Sequence, residues 1–492
     1  MNNLVAFLDT CKKLYPIIAA IDAQTGTAYI VGGGVRDLVL NKPVKDFDIE
    51  IHGLTRNQLE AILKKFGPLK LVGKKFGVFR LHNFDIDWSL PRRDSLGRKP
   101  EVIIDPDMTI EQAAKRRDIT MNAMAIDLHA LHKNFEVIYQ NAEKNMTYDK
   151  AGIDIIDPHG GLADIKNKTL HAVDINLFIE DPLRFFRIMQ FIGRFEMYPD
   201  KALNQLCAMM DLTDPITKKP LARERIFEEI KKLFLKSKKP SLGFRWLLDI
   251  SRLKEIFPEL EALVHIDQRD DYHPEGNVFE HTMQTLDAAA RLDLYQGNEK
   301  ISAENEKFLI MMSMLCHDLG KITTTDQDLS CKGHDKEGEK IAKIFLKRIT
   351  RDADLVKGVC TLVRYHMQPT VLVKQKATDK AYKRLAKKLA PYVSMKQLAL
   401  VALADIQGRN PHGNEPLTGF DEIYTTFMKF TENAHILHEP EPPVLQGRDL
   451  LDVVKPGKQM GEFLKEAYRI QIEEGIKDKE KLKSRVLPLK DS

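Results

Sequence analysis

The stretch V-G-G-G-V-R-D at residues 31–37, followed by D-F-D-I-E-I at residues 46–51, decides the fold of this chain. Residues 27–31 predict a strand, and the three glycines allow a tight turn into a helix that begins near Val35. In residues 46–51 the acidic and apolar side chains alternate with the period of a β-strand. A strand, a glycine turn, a helix and a second strand in close succession indicate the start of an α+β domain.

Each half of this stretch offers its own chemistry. Amides exposed at the start of a helix suit anionic phosphate, and Arg36 lies one turn inside the helix, where its guanidinium could clamp phosphate oxygens. Asp46 and Asp48 share one face of the strand, where a cation relieves their repulsion, and hard carboxylate oxygens favour Mg²⁺. Asp87 is a candidate third carboxylate. Alone, each half could be a structural turn or a solvated edge strand; together they predict nucleotidyl transfer.

Composition limits the class of protein. The chain has 492 residues, enough for about three domains, and its 43% hydrophobic and 30% charged residues exclude a disordered or collagen-like protein. The net charge of +4 leaves a nucleic-acid partner open. The longest apolar run, at residues 308–316, is far shorter than the ~20 residues of a membrane helix. Five cysteines without a C-x-x-C pair and an N-terminus without an export signal predict a cytoplasmic protein. No obligate protein partner is evident.

Changes in pattern predict four parts. Residues 1–150 mix strands and helices, and residues 151–262 are mainly helical. Residues 263–438 are helical and carry most of the chain's paired histidines and aspartates. A proline-rich stretch, E-P-E-P-P, then introduces a charged tail at residues 439–492.

Asp181, Arg184 and Arg187 are spaced three residues apart on a helix predicted to begin near Asp181, so they lie along one polar stripe. A carboxylate only accepts hydrogen bonds and a guanidinium only donates them, so together they complement an amino donor beside a ring-nitrogen acceptor. Adenine and cytosine present that edge, whereas guanine and uracil present the reverse. The spacing therefore predicts selection of A and C; a solvated ion pair is the alternative.

Histidines and aspartates recur on the helices of the third part. His281 lies on one helical run, His317 and Asp318 close an apolar helix, and Asp405 lies on another helix, with a further G-H-D at residues 333–335. Such side chains on separate helices can hold a divalent metal that activates water towards a phosphate ester. A core position is the alternative for each histidine alone. The set predicts a metal site and does not specify the ion.

Five ordered motifs resemble the class II tRNA nucleotidyltransferases and their poly(A) polymerase relatives. They are V-G-G-G-V-R-D at 31–37, D-F-D at 46–48, R-R-D-I-T-M-N-A-M-A at 116–125, D-P-H-G-G-L-A-D at 157–164 and E-D-P-L-R-F-F-R at 180–187. The histidine-bearing part resembles an HD domain, and residues 447–461 resemble the family's C-terminal region. The resemblance implies a polymerase-beta-type nucleotidyltransferase head followed by mostly helical neck, HD and tail domains.

The resemblance also implies roles for particular residues. In the head these are Asp46 and Asp48 for catalytic Mg²⁺ and Gly33, Arg36 and Arg117 for nucleotide binding, and in the neck they are Asp181, Arg184 and Arg187, also for nucleotide binding. In the HD domain they are His281, His317, Asp318 and Asp405 for a divalent metal. Gln190 is a departure, since family members often carry an arginine three residues after the position of Arg187; this predicts the loss of a cationic phosphate contact.

The implied activity is template-independent addition of C, C and A to the 3′ end of tRNA from CTP and ATP, with release of pyrophosphate. The HD resemblance also implies a second, metal-dependent phosphohydrolase activity in the HD domain. A poly(A) polymerase or an A-adding enzyme of the same family is one alternative. Residues 73–79 resemble the tRNA-acting branch, and the connection at 89–109 resembles the flexible loop of enzymes that complete A addition. An HD-domain phosphohydrolase with an RNA-docking head is the alternative from another class. The basic residues within 374–388 are a candidate RNA track.

Overall fold

The computed structural model describes residues 2–72, 78–82, 84, 86–94, 102–294, 300–412, 417 and 422–487. The chain divides into two compact units, Met1–Glu229 and Ile230–Ser492. Most of the 73–79 stretch and the middle of the 89–109 connection lie outside the described residues, so the expectations placed on them stay predictions.

Unit 1 has the predicted α+β architecture around a six-stranded sheet of order β3-β4-β5-β2-β1-β8. β1 pairs antiparallel with β2 and β8, while β2 pairs in parallel with β5. β6 and β7 form a separate antiparallel pair, and β9 and β10 a short parallel one. The strands are β1 (Thr27–Val31), β2 (Phe47–His52), β3 (Leu69–Val72), β4 (Val78–Leu81), β5 (Ile86–Ser89), β6 (Arg92–Asp94), β7 (Val102–Ile104), β8 (Ala125–Asp127), β9 (Thr169–Leu170) and β10 (Tyr198–Pro199).

Helices flank this sheet and make up most of the rest of unit 1. They are α1 (Asn3–Asp22), α2 (Gly33–Val39), α3 (Arg56–Leu63), α4 (Ile110–Ala114), α5 (Leu128–Lys133), α6 (Phe135–Glu143), α7 (Tyr148–Ala151), α8 (Gly161–Asn167), α9 (Ile175–Phe178), α10 (Leu183–Phe195) and α11 (Lys201–Met209). A 3₁₀ turn covers Thr120–Asn122, and α12 (Arg223–Lys236) spans the boundary between the units.

The alternation in β2 separates the core from the acidic face. Phe47, Ile49 and Ile51 are buried in the hydrophobic core of unit 1. Phe7 of α1 stacks on Phe47 with the ring centroids 5.6 Å apart. Burial of each such side chain contributes about 1.5–3 kcal/mol, which fixes the register of the strand and so the direction of its carboxylates.

The helix expected near Asp181 is α10, whose first residue is Leu183. The Asp181 carboxylate accepts a hydrogen bond from the backbone N–H of Leu183 at 3.1 Å, so Asp181 lies just before the first turn of the helix. The apolar stripe of the helix is as expected, since Phe185, Ile188 and Ile192 are fully buried.

Every regular element that the structure describes in unit 2 after α12 is a helix. These are α13 (Ser241–Asp249), α14 (Leu253–Ile256), α15 (Pro258–Leu263), α16 (Val278–Arg291), α17 (Lys300–Cys316), α18 (Lys321–Thr324), α19 (His334–Ile349), α20 (Ala353–Tyr365), α21 (Gln368–Lys374), α22 (Asp379–Leu389), α23 (Met395–Gln407), α24 (Glu422–Asn433), α25 (Lys458–Glu474) and α26 (Lys479–Val486), with a 3₁₀ turn at Gly447–Leu450. Near the C-terminus, Leu450, Phe463 and Leu482 belong to a separate hydrophobic cluster. Among the described helices, none combines the length and apolar character that a membrane span requires.

Candidate active site and metal centre

A cleft of about 500 Å³ in unit 1 collects all eight residues predicted to bind catalytic Mg²⁺ or nucleotide in the head and neck. They are Gly33, Arg36, Asp46, Asp48, Arg117, Asp181, Arg184 and Arg187. The same cleft is lined by residues that the sequence analysis did not assign to the site, among them Arg116, Asp118, Asn122, Arg194 and Arg225. The walls therefore combine a few carboxylates with many guanidinium groups, as a site for a metal-bound polyphosphate requires.

The acidic pair lies directly beside the glycine turn. Asp48 pairs in register with Val31, the last residue of β1 before the turn. A Cβ placed on Gly32 would lie 3.7 Å from Asp48 Oδ2, and one placed on Gly34 would lie 3.0 Å from the backbone oxygen of Asp46. Because the backbone packs this closely, the turn and the carboxylates form one surface of the cleft.

The electrostatics of this surface favour a cation. Burial raises the pKa of Asp48; Arg117 opposes this shift, and the negative charges of Asp87 and Asp46 add to it. Asp87 faces Asp48 across the parallel strand pair, and its carboxylate accepts a hydrogen bond from Arg80 Nε at 2.7 Å. A divalent ion would offset the repulsion between the negative charges around Asp48, and the hard carboxylate oxygens suit Mg²⁺.

Glu50, the third acid of β2, has a different role. It is 2% exposed and accepts hydrogen bonds from Arg116 at 2.7 Å and from His52 Nε2 at 3.2 Å. Burial would raise its pKa, but the His52 hydrogen bond and the charges of Arg116 and Arg117 hold the pKa well below its usual range. Glu50 therefore orients Arg116, and its oxygens are used within the protein.

A chain of hydrogen bonds links the glycine-turn helix to α10. Arg36 Nη1 donates to Asn122 Oδ1 at 2.6 Å, and Asn122 Nδ2 donates to Asp118 Oδ1 at 2.9 Å. Arg187 Nε donates to Asp118 Oδ2 at 2.6 Å. Burial would raise the pKa of Asp118, but the Arg187 charge and these hydrogen bonds lower it to about 2. Both Asp118 and Asn122 lie within R-R-D-I-T-M-N, so the motif contained the signal for positions that the sequence analysis missed.

The residues predicted to read the base are oriented by their neighbours. Arg184 donates through Nη1 to the carbonyl of Leu177 and through Nη2 to the carbonyl of Arg116, each at 2.7 Å. Arg225 Nη2 lies 3.5 Å from Asp181 Oδ2. These contacts orient one acceptor group and one donor group that both line the cleft, and each keeps further hydrogen-bonding capacity.

Gln190 does not leave the cleft short of positive charge. Its side chain is 2% exposed and, among the described residues, its Nε2 has no hydrogen-bond partner. Two turns beyond Arg187, Arg194 lines the cleft and donates to Asp37 at 3.2 Å. Burial and the nearby Arg36 charge lower the pKa of Arg194 to about 10, which leaves it protonated at neutral pH. A cation therefore stands at the cleft despite the departure at position 190.

The four residues predicted to bind metal in the HD region also come together, in unit 2. His317, Asp318 and Asp405 line a cavity of about 260 Å³. His281 is fully buried behind it, with Nε2 3.0 Å from Asp405 Oδ1 and 3.7 Å from Asp318 Oδ2. One ligand atom from each of His281, His317 and Asp405 fits within 4.8 Å of the others.

These donors fit a divalent metal. The His317 side chain is 1% exposed, and no described residue gives its Nε2 a hydrogen bond. An orphaned imidazole nitrogen beside two carboxylates is the donor set of a divalent transition-metal site. Lys321 Nζ contacts Asp318 Oδ2 at 2.7 Å, and Arg409 donates to both oxygens of Asp405 at 3.1 Å. Both cations line the cavity, where they suit a phosphate group.

Two further histidines face the same cavity. His334 begins α19 and His366 directly follows α20, and a ligand atom from each lies within 4.8 Å of one from Asp318. In the G-H-D run it is His334 that reaches the cavity, since Asp335 pairs with Arg364. His366 lies in no local motif, so the sequence analysis missed it.

The candidate RNA track is divided between α21 and α22, and part of it contacts the C-terminal region. Lys383 pairs with Glu441 at 2.5 Å and Arg384 pairs with Glu473 at 2.5 Å. Lys387 Nζ lies 4.1 Å from the ring centroid of Tyr468. These three cations therefore have partners within unit 2.

Three known protein families match successive parts of the chain. Residues 28–171 match the family described as Poly A polymerase head domain, and residues 211–263 match the family described as Probable RNA and SrmB- binding site of polymerase A. Residues 278–393 match the HD domain family. The sheet with its acidic pair and the helical histidine cavity thus define a nucleotidyltransferase that carries an HD domain.

Relatives that match most of the chain identify the family within this class of enzyme. The Multifunctional CCA protein of Mannheimia succiniciproducens is 32% identical over 403 residues, which cover 80% of this chain and 85% of that protein. The Multifunctional CCA protein of Paraburkholderia phymatum is 32% identical over 342 residues, 68% of this chain and 70% of that protein. The chain belongs to the multifunctional CCA protein family.

A solved structure shares the fold. The Bacillus stearothermophilus CCA-adding enzyme in complex with CTP matches with a TM-score of 0.57 at 18% identity, covering 96% of each chain. The predicted fold class, a polymerase-type head followed by helical domains, is confirmed.

Proposed function

We propose that this enzyme adds C, C and A to the 3′ end of tRNA from CTP and ATP and releases pyrophosphate. The observation that carries the proposal is the single cleft in which Asp46 and Asp48 meet the predicted nucleotide-binding arginines. Relatives named Multifunctional CCA protein and a fold shared with CCA-adding enzymes support it over a poly(A) polymerase.

In this reaction the terminal hydroxyl oxygen of the RNA forms a bond to the α-phosphorus, and the bond from that phosphorus to the pyrophosphate oxygen breaks. Asp46 and Asp48 would hold Mg²⁺, which supplies activation of the hydroxyl and neutralisation of the leaving charge. The hydroxyl proton leaves to solvent. Arg36, Arg117 and Arg194 line the cleft and would orient the triphosphate through charge-assisted hydrogen bonds.

Base selection falls to Asp181 and Arg184. A carboxylate acceptor beside a guanidinium donor pairs with the edges of cytosine and adenine. Guanine or uracil would leave these groups unpaired, at a cost of about 1–3 kcal/mol for each. Arg187 stands one turn further along α10, where Asp118 fixes its orientation.

Replacement of the acidic pair tests this proposal. Asp46→Asn and Asp48→Asn should each lower transfer of labelled CTP and ATP onto tRNA lacking its 3′ end by about a thousandfold, since each removes charge that the metal requires. Asp22→Asn, at a carboxylate 56% exposed, is the matched control and should keep activity. Full transfer by either cleft variant would refute the mechanism. Sequencing of the products would show whether C, C and A are added in order.

For unit 2, we propose a metal-dependent phosphohydrolase activity, because His281, His317 and Asp405 offer a buried trio of ligand atoms beside two cations. A water oxygen would bond to phosphorus, the ester P–O bond would break, and a water proton would pass to the leaving oxygen. His317→Ala should abolish release of inorganic phosphate from nucleotides and ring opening of cyclic phosphodiesters to monoesters in the presence of Mg²⁺, Mn²⁺, Co²⁺ or Ni²⁺, and keep transfer of CTP and ATP. Unchanged phosphate release would refute this activity.

We also propose the finer assignments that accompany these activities. The four-part division at residues 150, 262 and 438, a cytoplasmic location and the individual roles of the site residues belong to this proposal. The identity of the ion in the HD site is open among divalent metals that accept imidazole and carboxylate ligands.

A further inference from the structure

The HD cavity, which is lined by His317, Asp318 and Asp405, opens beside an exposed aromatic side chain. Tyr272 also lines the cavity and is 56% exposed, so its ring lies where the cavity meets solvent. Lys321 lines the same cavity, is only 4% exposed and contacts Asp318. The cavity therefore combines a buried end that suits a phosphate group with an aromatic opening.

A guanidinium group accompanies this ring. Arg269 also lines the cavity, and its Cζ lies 5.2 Å from the ring centroid of Tyr272. Arg269 donates to the Asp271 carboxylate through Nε at 3.1 Å and through Nη2 at 2.8 Å, which orients the plane of the guanidinium. Tyrosine rings and guanidinium planes are two surfaces on which proteins stack nucleobases.

The segment that carries this pair is fastened to the buried end of the cavity. The backbone N–H of Tyr272 donates to the carbonyl oxygen of Arg269 at 3.0 Å. Gln268, which is 8% exposed, donates through Nε2 to the carbonyl oxygen of Gly276 at 3.1 Å and accepts a hydrogen bond from Lys321 Nζ at 2.6 Å. Because these contacts order the segment before a ligand binds, stacking on it costs little conformational entropy.

The size of the cavity decides which part of a nucleotide meets the ring. The cavity has a volume of about 260 Å³, just below the ~300–1,000 Å³ of pockets that enclose a whole drug-sized ligand. If the phosphate lies at Lys321, the ribose fills the remaining space and the base is left at the opening. Every base has a π-face, so stacking there selects for a nucleobase and tolerates any of the four.

We propose that Tyr272 and Arg269 form a nucleobase-binding subsite, which makes the HD site prefer nucleoside phosphate esters to esters that lack a base. The inference rests on the proposed phosphohydrolase activity and adds the groups that select its substrate. The competing explanation is that both side chains are solvated at the surface and that the site takes any small phosphate ester.

Two substrates that differ only in the base separate these explanations. They are 2′,3′-cyclic AMP and methyl riboside 2′,3′-cyclic phosphate, in which a methoxy group replaces adenine. With the full chain and the same divalent metal, kcat/KM for ring opening should be about thirtyfold higher for 2′,3′-cyclic AMP, as expected for one stacked base. Adenosine, which has no phosphate, should competitively inhibit ring opening of the methyl riboside ester.

Replacement of the ring tests its part directly. Tyr272→Ala should lower kcat/KM for 2′,3′-cyclic AMP about thirtyfold, mainly through KM, leave the methyl riboside ester within about twofold and abolish inhibition by adenosine. Tyr272→Phe keeps the stacking face and should retain the preference. Tyr392→Ala is the matched control and should behave as wild type, because Tyr392 is 45% exposed and has Lys357 Nζ 5.2 Å from its ring centroid but lines a different groove.

A short RNA that ends in a 2′,3′-cyclic phosphate identifies the source of the base. An effect of Tyr272→Ala on this RNA as well would place an RNA end in the subsite. An effect confined to 2′,3′-cyclic AMP would place a free nucleotide there, and both results support the subsite.

Four outcomes overturn the inference. Equal kcat/KM values of the wild type for the two esters would mean that the base is not bound. A preference for 2′,3′-cyclic AMP that Tyr272→Ala retained would place the base elsewhere. An equal loss on both esters in Tyr272→Ala would mean that the ring only supports the segment that holds Gln268 and Lys321. No ring opening of either ester by the wild type would overturn the proposed phosphohydrolase activity together with this inference, while CTP and ATP transfer would be unaffected.

Discussion

The head cleft and the HD cavity both gather carboxylates and cations, but they do so at different ranges along the chain. In the head, Asp46 directly precedes β2 and Asp48 is its second residue, so the two carboxylates are separated by one residue, and both line the cleft. In the HD cavity, His281 and Asp405 come from α16 and α23, 124 residues apart. The position of the acidic pair in the head is thus set by local backbone geometry, whereas the HD site is formed by the packing of several helices.

This difference predicts different responses to mutation. Asp46 is exposed and Asp48 partly exposed, so their amide variants should lose chemistry and keep the fold. His281 is fully buried, and His317 is 1% exposed, so a change there also alters helix packing. Three variants, Asp118→Asn, Gly32→Ala and Arg194→Gln, test how far the local character of the head site extends.

Asp118→Asn is the strongest test of whether the head site also depends on long-range contacts, because Asp118 pairs with Arg187, 69 residues further along the chain. The variant should destabilise the protein by about 2 kcal/mol, since the partly exposed Arg187 loses its charged partner, and should lower kcat/KM for CTP about thirtyfold. Urea unfolding and single-nucleotide incorporation measure the two effects. Asp22→Asn serves as the control. If Asp118→Asn had wild-type stability and activity, the head site would be purely local.

The pH dependence follows from the lowered pKa of Asp118. Its ionised form stabilises the folded state, so the contribution is fully present above the ordinary pKa of about 4 and is lost as pH falls through about 2. The difference in unfolding free energy between wild type and Asp118→Asn should therefore be constant from about pH 5 to 9. A difference that changed within this range would assign the effect to another group.

The contrast also explains what the sequence could predict. The α+β head, the acidic pair and the arginines of the head followed from the strand period, the glycine turn and ordered motifs. The helix expected near Asp181 begins at Leu183, and the Asp181 side chain accepts a hydrogen bond from the Leu183 backbone N–H just ahead of it. His366 was missed because it follows α20 without a motif, and only the tertiary fold brings it to Asp318.

Gly32→Ala tests the local side of the contrast. Gly32 has φ +76°, and a Cβ there would lie 2.9 Å from Arg117 Nη1. The strain should cost about 1–2 kcal/mol of stability, and displacement of Arg117 should lower kcat/KM for CTP about tenfold. Gly160→Ala is a control for positive φ alone, because Gly160 has φ +77° and ψ +24°, in the left-handed region, with nothing within 4 Å of its Cβ, whereas Gly32 has ψ −132°. It should show a smaller loss of stability and no loss of activity; equal activity of both variants would remove Arg117 from nucleotide binding.

Arg194→Gln should have the smallest effect and bears on the departure at Gln190. Arg36 already donates to Asp37 at 2.7 and 2.8 Å, so loss of the 3.2 Å contact from Arg194 should change stability by less than about 1 kcal/mol. If Arg194 contacts the triphosphate, its loss should raise KM for both CTP and ATP about fivefold with little change in kcat, because a phosphate contact is blind to the base. Arg194→Lys keeps the charge and should recover part of the affinity.

An increase confined to one nucleotide would instead place Arg194 among the base-reading groups. Unchanged KM values would mean that this cation serves only to orient Asp37. In that case the arginine absent at position 190 would have no substitute in the cleft, and a charge predicted from a motif would have been lost without replacement by the tertiary structure. A rise for both nucleotides would show that packing can supply, two turns along the same helix, a charge that the local motif lacks.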